Sequence, residues 1–416
     1  MRRTRCSGRR WARRQMPAAV AAIALLAMPS GAAPVNGSVT EGARDVVFVA
    51  NAEEGTVSIL DARAFGVLAE IDVLPDGPDA QVGEDDPVQA VVGQRVAEAV
   101  GGDNWVQDQD VSPDGRTLYV SRGHRGDVAA FDIATGAMRW KTSITGVRAD
   151  HMTISDDGSR LYVSALTTDF LEVLDTTTGA VLDRARTAEW PHDNHLSGDG
   201  ARLYNASIGN IAAPAEVREA RTAAPAVPPP YQVTVFDAQT LEVLETHDFD
   251  AGIRPFALTA DEQFLYAQLS EYHGVVEYDL QAREITRRLD LPIDAGVTEA
   301  DYDFEAPHHG LATTHDETAL CLAGRASDYV ALADRATMTA TAIIDVGDAP
   351  SWAETTPDGR HCVVANNRDG TVSIVSYAQR EEVARVEVGL GPKHLESARL
   401  PAEVVAALVP PHGAGG

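Results

Sequence analysis

The sequence predicts an all-β fold: a single seven-bladed β-propeller whose first blade is completed by the C-terminal strand. Three observations carry this. An apolar run with an aromatic, a second run ending in Asp and a Thr-Gly-like turn recur seven times. Examples are Arg116–Ser121, Val128–Asp132 and Thr135-Gly136, then Arg160–Ser164, Leu171–Asp175 and Thr178-Gly179. A repeat of about 40 residues built from four short strands is the signature of propeller blades. Asp-Gly pairs at Asp114, Asp157, Asp199 and Asp358 separate alternating runs, which is a strong hairpin signal. Finally, the first repeat opens at Val46–Asn51, which matches a second strand. Its missing innermost strand is supplied by Gly391–Glu396, which matches Asp348–Ala353. Such closure leaves no open edge between first and last blades.

In chain order, residues 1–32 read as an export signal. Seven arginines between Arg2 and Arg14 form a basic start, Ala18 to Met28 is apolar but too short to span a bilayer, and Ser30-Gly31-Ala32 offers small residues for cleavage. Arg9-Arg10 admits a twin-arginine variant of the same signal. Residues 33–44 form a linker, 45–400 the propeller and 401–416 a tail. Second strands are expected at 46–51, 116–121, 160–165, 202–207, 264–269, 319–324 and 361–366. Third strands follow at 56–61, 128–132, 171–175, 233–237, 275–279, 329–334 and 371–376. Glu262 and Glu317 stand near the turn-glycine position in two repeats. Three long insertions, Pro75–Trp105, Gly209–Pro230 and Pro292–Pro307, fall on the face opposite the tight hairpins and are expected to form a lid or collar over the axial mouth.

The formal charge is −28, and loss of residues 1–32 would remove seven arginines and no acid, giving −35. Such a chain repels nucleic acid and anionic lipid. No later segment is apolar enough for a membrane span, and a monomer that is periplasmic, cell-surface or extracellular is expected. Cys321 and Cys362 fall on equivalent strands of neighbouring repeats. Stacked sheets lie about 10 Å apart and a disulfide wants Cα atoms within about 7 Å, so two buried free thiols are expected. No Cys-x-x-Cys-His for covalent haem, no P-loop, no dinucleotide fingerprint and no serine elbow occurs.

The segments Val47–Asn51 with Gly55–Asp61, and Val364–Asn367 with Gly370–Val375, resemble the YVTN-type seven-bladed propellers of exported bacterial and archaeal proteins. The resemblance spans nearly the whole chain after the export signal and implies the fold. Similar propellers serve as surface-layer modules, as lactonase-like enzymes and as catalytic domains of nitrous oxide reductase and haem d1 nitrite reductase. The copper electron-transfer domain of the former and the haem-attachment cysteines of the latter are absent here.

Histidines gather where crossovers enter innermost strands: His151, His192, His195, His308, His309 and His394. Counted back from each hairpin Asp, His192 and His309 stand at the seventh position, His151 and His394 at the sixth, and His195 at the fourth. Pseudo-sevenfold symmetry brings such positions together on the axis, with Asp108, Asp110, Asp150, Asp193 and Glu354 nearby. Convergent imidazoles suit Cu, Fe or Zn, and His151, His195, His309 and His394 are the favoured ligand set. The bland alternatives are polar lining of a wet channel, or a metal-free general base. Arg254 and Arg325, with Asp193 and Glu354, are candidates to hold a small anionic substrate. Two functional readings compete: a metal-dependent enzyme, and a non-catalytic module binding a protein or cell-wall partner through the insertion face. A structural surface protein is the third.

Overall fold

The computed structural model describes residues 42–77, 91, 93–97, 104–213 and 230–409. They form seven four-stranded antiparallel sheets, the blades of a propeller. The expected export signal lies outside the described residues, as does most of the first two insertions. Innermost strands run at Pro392–Leu400 in blade 1, Asp108–Val111 in blade 2, Ala149–Ile154 in blade 3 and Pro191–Leu196 in blade 4. Ile253–Leu258, Leu311–Thr313 and Pro350–Thr355 follow in blades 5 to 7.

Local chemistry explains the repeating hairpins. In six blades a Ser or Thr hydroxyl donates to the Asp two residues on, as Ser155 does to Asp157 at 2.7 Å and Thr356 to Asp358 at 2.8 Å. The following residue turns left-handed: Gly158 has φ +70° and Gly359 +71°, while Glu262 and Glu317 hold the same place at +54°. Second strands are buried on both faces, as in Thr117–Arg122, because each blade is covered by its neighbours. Outermost strands alternate, as in Met138–Ser143. Burial thus falls off from axis to rim, and apolar clusters join adjacent blades.

The C-terminal strand pairs antiparallel with Arg44–Asn51, setting Phe48 opposite Glu396, so blade 1 is built from both ends of the ring. Val47 and Val49 then share one apolar cluster with Val363 and Val372 of blade 7. The segment read from sequence as a tail includes a helix, Ala402–Leu408, that buries Val404 and Val405 against Leu118 and Phe131. Deleting residues 392–409 should therefore leave two blades uncovered and the chain unfolded or aggregated, as read by circular dichroism and size exclusion; a monomeric, cooperatively melting product would contradict this. No described helix is long and apolar enough to cross a membrane.

One expectation is overturned. Cys321 and Cys362 are joined by a disulfide, with Cα atoms 6.5 Å apart. Blades are not parallel stacked sheets: they radiate from an axis, so their inner strands approach more closely than the spacing of flat layers allows.

Candidate metal centre at the axial mouth

The innermost strands bring one residue from each blade to the axis at every level. The seventh position before the hairpin Asp gives Gln107, Asp150, His192, Arg254, His309, Ser351 and, by alignment, Lys393. The sixth gives Asp108, His151, Asp193, Pro255, Gly310, Trp352 and His394. A regular strand would turn successive side chains to opposite faces. Here pairing slips between Ala149 and Met152, Pro191 and Asn194, Ile253 and Phe256, and Pro350 and Trp352. These bulges re-aim side chains, so consecutive residues both contribute to the axial cluster.

At the deeper level His394 Nδ1 lies 2.7 Å and His151 Nδ1 3.2 Å from the two oxygens of Asp108. Neither nitrogen is aligned for a hydrogen bond, and both are buried. One donor atom from each of the three residues lies within 4.8 Å of the others. The Asp108 carboxylate is fixed by the backbone N–H groups of Gln109 at 2.6 Å and Met152 at 2.7 Å. Trp352 stacks on His151 with centroids 4.9 Å apart and lies 4.3 Å from His394. Burial works to raise the Asp108 pKa, but His394 and His151 outweigh it and hold the carboxyl well below its usual range.

The upper level is differently arranged. Asp150 accepts from Gln107 Nε2 at 2.8 Å and from Arg148 Nε at 3.3 Å, and lies 3.0 Å from His192 Nδ1. His151 Nε2 is 3.6 Å from Asp150, so this ring belongs to both groups. Burial, reinforced by His151, pushes His192 down to about 4, while burial and His192 push His309 well below the imidazole range. Both rings are therefore neutral, the ligating form. His309 Nδ1–H donates to the Ser351 carbonyl at 2.8 Å, which leaves the lone pair on Nε2; His192 Nε2 is buried and without a partner. An outer partner that fixes the tautomer is a common companion of metal ligation.

The other candidate residues lie elsewhere. His195 sits farther along the channel, its side chain 39% exposed, 3.2 Å from Asp193 and edge-on to Phe256. His308 turns outward, 3.2 Å from His273 Nδ1 and 3.1 Å from the Tyr329 hydroxyl. Asp193 is occupied by the backbone N–H groups of Asn194 and Phe256 as well as by His195.

Glu354 belongs to a lower row with Asp110 and Glu396. Burial raises the Glu354 pKa to about 7 from about 4.5, against Ser397 and His195. Burial raises Asp110 and Glu396 too, with like charge added. Because the folded protein keeps a proton that the unfolded chain has released, the stability contribution is full below pH about 4.5 and is lost as pH rises through about 7. Glu354→Gln should thus raise the melting temperature at pH 8 and leave it nearly unchanged at pH 4. A lower melting temperature at pH 8 would contradict this.

Above the upper level a cavity of about 140 Å³ is walled by Phe304, Asn104, Ser351 and Asn367, with Arg325 and Arg368 at one side and Lys393 and His309 below. A smaller lobe adds Gln107, Arg148, Asp150, His192 and Arg254, sharing Phe304, His309 and Lys393. Phe304 comes from the third insertion, Pro292–Pro307, which folds into two short 3-10 turns. Phe304 and Glu305 are both left-handed, at φ +40° and +62°. Arg254 donates to the Phe304 carbonyl, and Arg325 and Arg368 hold Asp303 at 2.7 and 2.8 Å. Arg254 and Arg325 thus line the cavity, with these hydrogen bonds directed at the strap across it.

No family model matches the chain, and no curated protein is similar to it. Among solved structures it is similar to a chain of Kuenenia stuttgartiensis hydrazine synthase, at 18% identity and a TM-score of 0.58, covering 80% of this chain and 92% of that one. The likeness is one of fold. It agrees with the propeller fold and is silent on the axial residues.

Proposed function

We propose that this is an exported propeller of the YVTN type whose axis binds a transition metal, Cu, Fe or Zn, and that the metal serves an enzyme acting on a small anionic substrate. The carrying observation is that one donor atom each from His151, His394 and Asp108, all three buried, lies within 4.8 Å of the others. Two imidazoles and one carboxylate leave coordination positions open, which Lewis-acid or redox chemistry needs. His192 and His309 both line the smaller lobe of the cavity. The export signal, and the secreted location it implies, are supported by the seven arginines and short apolar run at residues 1–32.

The test is metal content by mass spectrometry of protein exported by a native-like host, with Asp108→Asn alongside. About one ion per chain in the wild type, absent from the variant, supports the reading. Metal-free wild type after loading with each of the three metals contradicts it and turns attention to partner capture on the insertion face.

A further inference from the structure

We propose that the cavity over the axial centre binds a short-chain carboxylate, held by Lys393 and Arg148. This deepens, and rests on, the reading of the axial mouth as the functional site. Lys393 Nζ donates to Gln107 Oε1 at 2.7 Å, a neutral acceptor, and no described carboxylate lies within ion-pair distance of it. Lys141, by contrast, pairs with Asp76 at 2.6 Å. Arg148 lines the same lobe, is buried, and keeps Nη1 without an acceptor while its Nε and Nη2 go to Asp150 and Gln107.

Of the three acids lining the two lobes, two are already committed, and the third, Glu53, is exposed and outside ion-pair distance of any described cation. Asp150 is bonded to Gln107, Arg148 and His192, and Asp303 is bonded to Arg325 and Arg368. A hollow lined by Arg148, Arg254, Arg325 and Arg368 beside Lys393 therefore stands in a chain of formal charge −28. Its wall selects further. Phe304 faces Lys393 at 5.8 Å and Ala52 lines the same cavity, so an apolar tail attached to the anion would be covered. An inorganic oxoanion leaves that wall unmatched. A cavity of about 140 Å³ limits the tail to a few carbons.

The test uses butyrate, with sulfate and phosphate as comparison anions, on chelator-treated full-length protein. Absence of metal separates a failure here from a failure of the metal reading. Ligand-observed NMR titration should show butyrate bound and sulfate and phosphate weaker. Lys393→Gln should weaken butyrate at least tenfold. A second measurement needs no variant. The chain has two lysines, Lys393 and Lys141, and the latter's side chain is 49% exposed. Saturating butyrate should slow acetylation of Lys393 by an amine-reactive ester and leave Lys141 unchanged. Wild type that does not bind butyrate, tighter binding of sulfate or phosphate, unchanged affinity in Lys393→Gln, or equal labelling of the two lysines with and without butyrate would each overturn the proposal.

Discussion

His394→Ala should abolish metal retention, and with it the stabilisation that added metal is expected to give the wild type. His394 contributes one of two imidazoles facing the Asp108 carboxylate, and no other described residue offers a ligand atom in its place. His151→Ala should have the same effect and also loosen the upper group, because His151 is shared between the two. An ion bound only by the folded chain stabilises it by about 4 kcal/mol when present at about a thousand times its dissociation constant. Adding metal should therefore raise the wild-type melting temperature by several degrees and leave His394→Ala unmoved. His195→Ala separates this geometry from a general histidine effect. That ring is 39% exposed and bonded to Asp193, outside both groups, so the variant should keep its metal. Loss of metal in His195→Ala with retention in His394→Ala would place the ion lower in the channel.

Removing the Cys321–Cys362 bond by double substitution to alanine should cost about 4 kcal/mol, the chain-entropy value for a loop of this size. The two residues are 41 apart in sequence and tie blade 6 to blade 7. Both side chains are fully buried, so alanine avoids placing a hydroxyl in an apolar cluster that holds Val330, Leu332 and Val364. Urea denaturation should show a lower midpoint with an intact cooperative transition. An unchanged midpoint in the oxidised and reduced wild type would show that the bond contributes nothing.

The fold was legible because its signals are local and repeated. Each hairpin announces itself through Ser or Thr, Asp and a left-handed residue, and the match of Gly391–Glu396 to Asp348–Ala353 located the closing strand, though one residue out of register: Pro392 stands opposite Asn51 as Pro350 stands opposite Asn366. The axial histidines were legible through the same count from the hairpin Asp. What the count does not reveal is direction. His308 and His309 are neighbours, yet one turns to Tyr329 and the other to the axis. His195 shares the axis but not the level. In blade 4 a bulge between Pro191 and Asn194 separates His192 from His195, whereas His308 and His309 precede a strand that pairs without one. Arg148 was hidden for another reason: its Nη1 is left without an acceptor, which only the folded chain displays. The disulfide was misjudged because a spacing for flat layers was applied to blades that converge.

Anomalous X-ray scattering from crystals of the metal-loaded protein tests the central claim most directly. One strong peak is expected, bonded to His151 Nδ1, His394 Nδ1 and a carboxylate oxygen of Asp108, with Trp352 beside it. A peak bonded elsewhere, or none at the axis in crystals loaded with Cu, Fe and Zn in turn, would contradict it.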